Sequence, residues 1–225
     1  MKPEHVTSYE VGAKTNFFDN RLVFDAAAFY NQYNDMQVFV LVNPPAGDPA
    51  GSLPVNVLDN AKSAHTEGVE AQMVARPISP LTASVQVGLL TTRLDSFVAD
   101  RAPGTPDYSG NQLPNSPRFS MSGMLDYKVP LPKGALDLQF TASYKSHQFF
   151  DTTNDPYITQ GGYWIENVRA GYAWHDGKWE VAAWVRNIAN TEYYADKFDL
   201  SSPFGFIQGI LGTPRMVGAE INVKY

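Results

Sequence analysis

The chain has 225 residues, and its 17 basic and 23 acidic side chains give a net charge of −6. This balance lacks the clustered basic surface that nucleic-acid binding needs, and the absence of cysteine excludes disulfides, thiolate metal sites and thiol catalysis. No apolar run approaches the ~20 residues of a membrane helix, and the first residues lack the apolar core of a signal peptide. If the protein is exported, the sequence is expected to be a piece of a longer chain or a truncated reading frame.

Alternating apolar and polar residues begin at residues 7–17, and this period of two predicts a strand with two different faces. Asp19-Asn20 then predicts a tight turn. A second alternating strand starts at Arg21, and Asp25 in its middle marks the face that should not contact lipid. Pro and Gly crowd residues 39–58, which predicts an irregular loop without strand or helix.

The same unit of strand, short turn, strand and long loop is repeated along the rest of the chain. Further strands are predicted at residues 59–76, 81–89, 119–128, 136–145, 167–174, 178–186 and 216–225. Short turns are predicted at residues 77–80, 130–134 and 175–177, the last with an Asp-Gly pair. Long loops are predicted at residues 96–116, 148–161 and 195–211.

The alternation of turns and loops predicts the fold class. Bacterial outer-membrane barrels have short periplasmic turns at one end and longer extracellular loops at the other. A soluble sandwich has no reason to keep its long connections at one end. The sequence therefore predicts an all-β fold, an antiparallel transmembrane β-barrel portion of about nine strands. Aromatic residues near the strand ends suit interfacial girdles, although they also favour strands in general. Glu166 shares the apolar face, where it is an exception to the pattern unless it lies above the membrane.

Catalytic chemistry finds little support in the sequence. The histidines are far apart without a His-x-His pair for zinc, and no Gly-x-Ser-x-Gly elbow exists. We expect all of them to be solvated: His5, His65, His147 and His175. Residues 151–155 are rich in oxygen ligands but lack the spacing and the closing Glu of an EF-hand, so they predict a polar outer loop. The sequence predicts no enzyme activity and no catalytic, cofactor-binding or metal-binding residue.

Two further groups of residues could resemble a site. Asn187 and Asn190 are interpreted structurally, because Asn tolerates the left-handed backbone of a strand that leaves the sheet. Aromatic residues of the predicted outer loops could contact a substrate or close the mouth of the barrel, and no substrate-binding residue is assigned. These aromatic residues are Tyr108, Phe149, Phe150, Phe204 and Phe206.

Three stretches in this order resemble the C-terminal part of a TonB-dependent outer-membrane receptor. Residues 60–70 end in Glu-Gly-Val-Glu, residues 184–194 contain Asn-Ile-Ala-Asn followed by Tyr, and residues 212–218 lead into the last strand. Residues 113–118, Leu-Pro-Asn-Ser-Pro-Arg, are similar to the family's descending strand after a loop. The resemblance implies a 22-stranded barrel with a plugged lumen. Residues 1–225 would supply its last nine strands, without the plug domain, the energy-coupling box and the first thirteen strands.

The resemblance also implies a function and its partners. It implies TonB-dependent uptake of a scarce nutrient, such as a ferric siderophore, through the outer membrane of a Gram-negative bacterium. The expected partners are outer-membrane lipid, a small-molecule ligand such as a metal chelate, and the TonB energy-coupling complex of the full-length protein, with no nucleic acid and no cofactor. A self-standing small barrel with a structural or adhesion role is the alternative. An enzyme-type barrel, such as an outer-membrane protease or lipase, would need a catalytic constellation that the sequence lacks.

Overall fold

The computed structural model describes residues 3–42, 55–97 and 107–224. Its elements are β1 (His5–Phe17), β2 (Leu22–Val42), β3 (Val55–Ile78), β4 (Leu81–Ser96), β5 (Phe119–Leu131), β6 (Gly134–Lys145), β7 (Gln148–Phe149), β8 (Thr159–Gln160), β9 (Tyr163–Trp174), β10 (Trp179–Arg186), β11 (Tyr194–Leu200), α1 (Ser201–Phe204), β12 (Phe206–Leu211) and β13 (Met216–Val223). None of the described helical residues forms a helix long and apolar enough to cross a membrane.

One sheet of nine strands contains most of the described residues. Its order is β1-β2-β3-β4-β5-β6-β9-β10-β13, so neighbours in the sheet are also neighbours along the chain, apart from the short strands of the loops. Every pair is antiparallel. This arrangement confirms the predicted all-β fold, the antiparallel sheet and the number of its principal strands.

Short turns join the strands at one end of the sheet, which we call the inner end. Positive φ angles of 54°, 54° and 65° at Phe18, Asp19 and Asn20 make the first turn, and His175-Asp176-Gly177 also has positive φ throughout. The other two turns have only two residues each, 79–80 and 132–133. All four predicted turns are confirmed, although residues 77–78, 130–131 and 134 belong to strands.

Two predicted loops at the opposite, outer end contain more strand than expected. β2 continues to Val42 and β3 begins at Val55, with Val42 paired to Val55, so the predicted loop at 39–58 is wrong at both ends. Its flanks are rich in Val, Phe and Leu, which favour strands. The Pro- and Gly-rich residues 43–54 lie outside the described residues.

The loop predicted at 195–211 is a β-hairpin. β11 pairs with β12, and Gly205 between them has a φ of 77°. β12 is rich in Ile and Phe, and β11 contains Tyr and Phe, so their β-propensity prevails over the Gly and Ser content that predicted a loop. The loop predicted at 148–161 likewise contains the small ribbon of β7 and β8.

Alternation along the strands gives the sheet an apolar face and a polar face. On the apolar face many large side chains are exposed, among them Val69, Leu89, Leu125, Val181 and Val217. Aromatic rings lie in two rows across this face. Toward the outer end, Phe119, Tyr144 and Trp164 have successive ring centroids 5.9 and 5.0 Å apart, and toward the inner end Tyr172, Trp174 and Trp179 have theirs 5.8 and 6.3 Å apart.

Glu166 departs from this pattern. It lies on the apolar face of β9 opposite Ala142, two residues nearer the middle of the sheet than Trp164 of the outer aromatic row. Glu166 is therefore an exception to the apolar face on the membrane side of the outer aromatic row. Its backbone carbonyl accepts a hydrogen bond from Ile188 N, and one buried carboxylate oxygen, Oε2, has no hydrogen-bond partner among the described residues.

Candidate functional site: the polar face and the outer loops

Three strands bring an ion cluster together on the polar face. Arg169 of β9 donates from Nη2 to Glu180 Oε1 at 2.8 Å and to Glu220 Oε1 at 2.7 Å, and from Nε to the same Glu220 oxygen at 2.9 Å. Asn222 Nδ2 donates to the second oxygen of Glu180 at 3.1 Å. One arginine thus ties β10 and β13 to β9 through two carboxylates. The alternation predicted that these side chains share a face, and the strand register brings them into contact.

Two small residues make room for this cluster. A Cβ on Gly171 would lie 2.6 Å from Glu180 Oε1 and 2.8 Å from Arg169 Nη1, so a larger residue there would displace the ion pair. Ala182 pairs with both Gly171 and Glu220, and its side chain is only 3% exposed. The cluster therefore covers the sheet at this point.

The β1–β3 part of the polar face is looser. Lys14 Nζ lies 3.4 Å from Asp25 Oδ2, and because the two side chains are 73% and 35% exposed, this ion pair contributes little stability. Glu70 and Gln72 line the same recess. The middle of the polar face carries uncharged hydroxyls and amides, namely Ser84, Gln86, Ser122, Thr141 and Ser143.

At the outer end, two loops far apart in sequence are locked together. Asn111 Nδ2 donates to the carbonyls of Thr152 at 2.9 Å and Thr153 at 3.0 Å. Gln112 N donates to Asn154 Oδ1 at 2.7 Å, while Asn154 Nδ2 donates back to the Gln112 carbonyl at 2.9 Å. The loops at 107–118 and 146–162 thus form one platform over the polar face, which sequence patterns did not predict.

An apolar cluster lies beneath this platform. Its buried members are Val38, Ala64, Leu94, Phe97 and Leu113, with Tyr33, Met36 and Tyr108 packed against them. Ala64 and Leu94 are fully buried, although the alternation assigns both to the face expected to be polar. In the sequence, the only indication of this cluster is that Ala and Leu occupy two positions where the alternation predicts polar residues.

The acidic loop at 151–155 forms local turns. Asp151 Oδ1 accepts hydrogen bonds from Thr153 N at 3.1 Å and Thr153 Oγ1 at 2.7 Å, and Asp155 Oδ1 accepts from Tyr157 N at 2.7 Å. Burial raises the pKa of Asp151, against the opposing effect of the hydrogen bonds from Thr153. Among the described residues, no group of three or more His, Asp or Glu side chains could hold a metal ion.

The four histidines differ in their surroundings. His5, His147 and His175 are exposed, as expected, although the His147 ring also contacts Phe149 edge-on at 4.8 Å. His65 is not simply solvated. Its Nδ1 lies 2.7 Å from Asp95 Oδ1, and its ring stacks on Tyr30 with centroids 5.8 Å apart.

The predicted aromatic group divides into two sets. Tyr108 packs on Phe97 in the apolar cluster, Phe149 is partly exposed and Phe150 is 7% exposed, so these rings are held by the platform. Phe204 and Phe206 are 55% and 51% exposed on the β11–β12 hairpin.

The structural interpretation of the two asparagines is confirmed. Asn187 and Asn190 have φ angles of 51° and 55°. The buried Asn187 amide donates to the carbonyls of Thr191 and Thr213, both at 3.0 Å, and accepts from Thr191 N at 2.8 Å. It therefore fixes the point at which the chain leaves β10 and returns to β13.

An antiparallel sheet with one apolar face, one polar face, two aromatic rows and its long connections at one end defines a portion of a transmembrane β-barrel. Residues 1–188 match the family described as TonB dependent receptor-like, beta-barrel. The chain belongs to this family, whose members are transport receptors and not enzymes.

Solved structures of similar fold include a ferric yersiniabactin uptake receptor, a siderophore receptor and a copper transporter. The ferric yersiniabactin uptake receptor FyuA from Yersinia pestis matches 99% of this chain with a TM-score of 0.78 and 19% identity, and the siderophore receptor PiuA from Acinetobacter baumannii matches 99% with 0.75 and 21%. The copper transporter OprC matches the whole chain with a TM-score of 0.73 and 13% identity. The chain spans only 30%, 29% and 32% of the length of these three proteins.

Proposed function

We propose that residues 1–225 are the C-terminal part of a TonB-dependent receptor barrel in the outer membrane of a Gram-negative bacterium. The full protein would import a scarce nutrient, such as a ferric siderophore. The observation that carries this proposal is the family match over residues 1–188 on a sheet whose long loops all lie at one end. A receptor needs those loops outside the cell, where its ligand arrives.

The direction of the edge strands supports a larger barrel. Nine sequential antiparallel strands make β1 and β13 run in the same direction. Direct closure of β1 on β13 would therefore be parallel, whereas bacterial outer-membrane barrels have an even number of antiparallel strands. An odd number of further strands would restore antiparallel closure, and the match to less than a third of each solved receptor is consistent with such strands. This argument also disfavours a self-standing barrel of nine strands.

Each part of the chain would have a role in import. The polar face would line the lumen, where the hydroxyls and ion pairs of β1–β6, β9, β10 and β13 would face the plug domain. The interlocked loops would form part of the mouth that contacts the ligand. A metal chelate is the favoured ligand class because the similar structures are named as a ferric yersiniabactin uptake receptor, a siderophore receptor and a copper transporter. The TonB complex would act on the plug.

The test compares the full protein that carries this chain with the 225-residue chain behind an added export signal. Each is expressed in a strain without its own siderophore receptors, and uptake of radioactive ferric siderophores, cobalamin and copper is measured with and without TonB. We expect TonB-dependent uptake by the full protein, none by the chain alone, and both in the outer-membrane fraction. Uptake by the chain alone would contradict its assignment as one part of a receptor, and TonB-independent uptake by the full protein would contradict the proposed mechanism.

A further inference from the structure

A polar network lies on the apolar face where a lipid-facing surface would be expected to end. Tyr30 donates from its hydroxyl to Gln32 Oε1 at 2.8 Å, and its ring stacks on His65. His65 Nδ1 lies 2.7 Å from Asp95 Oδ1, and Gln32 Nε2 lies 3.5 Å from Asp95 Oδ2. The four side chains close a ring across β2, β3 and β4. We call this ring, together with Arg93, the headgroup patch.

The exposure pattern of β4 determines which way the headgroup patch faces. Thr92 and Leu94 are buried beneath the platform on the polar side, whereas Thr91, Arg93 and Asp95 are exposed. His65 is the direct cross-strand partner of both Gln32 and Arg93, so the three residues lie side by side on the same face. This face continues inward through Val69 and Leu89, which are 47% and 57% exposed.

The height of the headgroup patch matches the boundary of a membrane. Leu22, at the inner start of β2, and Gln32 are ten residues apart on one strand. A rise of ~3.3 Å per residue and a tilt of ~40° give about 2.5 Å of height per residue, so Gln32 lies roughly 25 Å above Leu22. The apolar band of an outer-membrane barrel is also about 25 Å tall. The headgroup patch therefore lies at the level of lipid headgroups in the outer leaflet.

The chemistry of the headgroup patch fits a phosphorylated sugar. Arg93 is exposed and has no ion pair among the described residues, so its guanidinium can donate to a phosphate. Asp95 holds one nitrogen of His65, and the other, Nε2, has no hydrogen-bond partner in the described part of the chain. The Gln32 amide is used within the protein, because its Nε2 donates to the Ala64 carbonyl at 3.1 Å and its Oε1 accepts from Tyr30. The exposed Asp95 carboxylate can accept from sugar hydroxyls, and the Tyr30 ring is 37% exposed beside it.

The acidic groups nearby restrict where a phosphate can lie. Asp95 is already bonded to His65 through Oδ1, so that oxygen is directed at the imidazole. Glu67 is exposed on the same face, one pair nearer the membrane interior, opposite Tyr30 and Thr91. Its carboxylate would repel a phosphate placed below Arg93. A phosphate is therefore favoured at the level of Arg93 and His65, with its acyl chains against Val69 and Leu89.

We propose that the headgroup patch binds the sugar–phosphate headgroup of an outer-leaflet glycolipid. Arg93 contacts the phosphate, and the free nitrogen of His65 contacts the same headgroup. Asp95 and the Tyr30 ring hold His65 in place, and Gln32 bonds both of them. This inference rests on the outer-membrane location under the proposed function. It adds a lipid site outside the barrel that takes no part in recognition of the imported ligand.

The test measures binding of bisphosphorylated lipid A to the protein that carries this chain, purified in a mild detergent. The dephosphorylated lipid and inorganic phosphate are measured as separate probes. Since a hydrogen bond to a charged group contributes about 1.5–3 kcal/mol, Arg93→Gln should weaken lipid A binding about ten-fold or more. His65→Gln should weaken it several-fold. Removal of the lipid phosphates should weaken binding to the unaltered protein and reduce the effect of Arg93→Gln.

Two arginines provide matched controls for the change in charge. Arg76→Gln lies at the inner end of β3, and Arg215→Gln is exposed at the outer end beyond the headgroup patch. Each should change lipid A affinity less than about two-fold, because long-range attraction between exposed charges is largely screened. Equal losses of lipid A affinity in Arg93→Gln and Arg215→Gln would mean that the protein attracts the lipid only through its overall charge, which would overturn the site. Unchanged affinity in Arg93→Gln, or competition by inorganic phosphate as effective as lipid A, would also overturn it.

Failure of the site and failure of the proposed location give different results. Fractionation of cells reports the location without regard to Arg93 or His65. A protein that reaches the outer membrane but binds lipid A equally well in all variants refutes only the headgroup patch. A heat-sensitive gel shift checks that each variant is folded before its binding is measured.

Discussion

At the inner end of the sheet, the backbone conformation of a few residues determines each turn. At the outer end, hydrogen bonds between two loops that are far apart in sequence determine their conformation. The first inner turn needs only positive φ at Phe18, Asp19 and Asn20. The outer platform depends on Asn111 and Asn154, whose side chains bond backbone groups 41 and 42 residues away. The first kind of connection is local and the second is tertiary.

This difference explains how the two ends can serve different purposes in a membrane receptor. A local turn can form as soon as its two strands pair, because its conformation is set by a few residues that tolerate the left-handed region. A platform of loops forms only after strands far apart in sequence have aligned. It can therefore hold a surface that the regular sheet could not provide, above a polar face open to the lumen.

The largest loss of stability is expected from a substitution in the regular part of the sheet, which joins the two ends. Ala26 and Ala27 are adjacent, on the apolar and the polar face respectively, near the middle of the part of β2 between Leu22 and Gln32. Ala26→Arg should cost about 2–4 kcal/mol of unfolding free energy in lipid vesicles, the penalty for Arg facing lipid at the midplane. Ala27→Arg should cost much less, because Ala27 lies opposite Glu70 and faces the polar recess.

The two substitutions are chemically identical and differ only in the face that they occupy. Equal losses of stability, or a larger loss for Ala27→Arg, would contradict the assignment of the apolar face to lipid. The adjacent pair Ala182 and Ala183 is a poorer choice, since Ala182 is only 3% exposed beneath the ion cluster of Arg169. An Arg at Ala182 would disturb that cluster whatever the solvent content of the lumen.

The inner end and the two faces could be predicted from sequence for a physical reason. The side-chain period of a strand is two, so the face of each residue follows from its neighbours alone. Asp19-Asn20 and Asp176-Gly177 predict turns because these residues tolerate positive φ. The failures at 39–58 and 195–211 arose where Pro and Gly content competed with the β-propensity of Val, Phe and Ile in the same segment.

The turn after β10 is an outer connection that has both kinds of contact, because Asn187 bonds Thr191 four residues away and Thr213 26 residues away. Asn187→Ala removes three hydrogen bonds of a buried amide and places Ala at a φ of 51°. At about 1 kcal/mol for each bond, the loss should be roughly 2–3 kcal/mol of unfolding free energy. Asn190→Ala removes the side-chain bond to Arg215 N and should cost less than half as much. Similar losses in the two variants would contradict the role given to Asn187.

The candidate site was less accessible to sequence analysis than the fold. Alternation placed Arg169, Glu180 and Glu220 on one face, but their contact depends on the register of three strands, which no local pattern contains. The reciprocal bonds of Gln112 and Asn154 depend on a meeting of two loops. Such pairings are tertiary, and neither residue carries a local signal of its partner.

The platform itself is tested by removing one of its amides. Asn154→Gly deletes the bonds to Gln112 but keeps a residue that tolerates the φ of 55°. We expect the loops to open more readily by about 1–2 kcal/mol, because the two modest hydrogen bonds between them are lost together with the bond from Asn154 to the Asp151 carbonyl. Hydrogen exchange at Asn115 N, which donates to the Phe149 carbonyl across the two loops, measures the opening. Asn154→Ala should cost about 1 kcal/mol more, since Ala is strained in the left-handed region. Faster exchange at the inner turns as well would show that the two ends are not independent.

The smallest effect should be a pH dependence confined to the platform. Burial raises the pKa of Asp151 in the folded protein above its unfolded value of about 3.9. The folded state therefore binds the proton more tightly, and this contribution to stability is lost as pH rises from the unfolded pKa through the raised folded pKa. Asp151→Asn keeps an oxygen for Thr153 but has no charge, so it should stabilise the platform at neutral pH by less than about 1 kcal/mol and leave it unchanged in acid.

Asp107→Asn is the control, and its effect on stability at neutral pH should have the opposite sign. Hydrogen bonds from Ser109 lower the pKa of the Asp107 carboxyl and favour its charged form. Hydrogen exchange at Gln112 N between pH 4 and 8 measures both, and a stabilisation of Asp151→Asn that does not disappear in acid would mean that the carboxylate charge is not its cause.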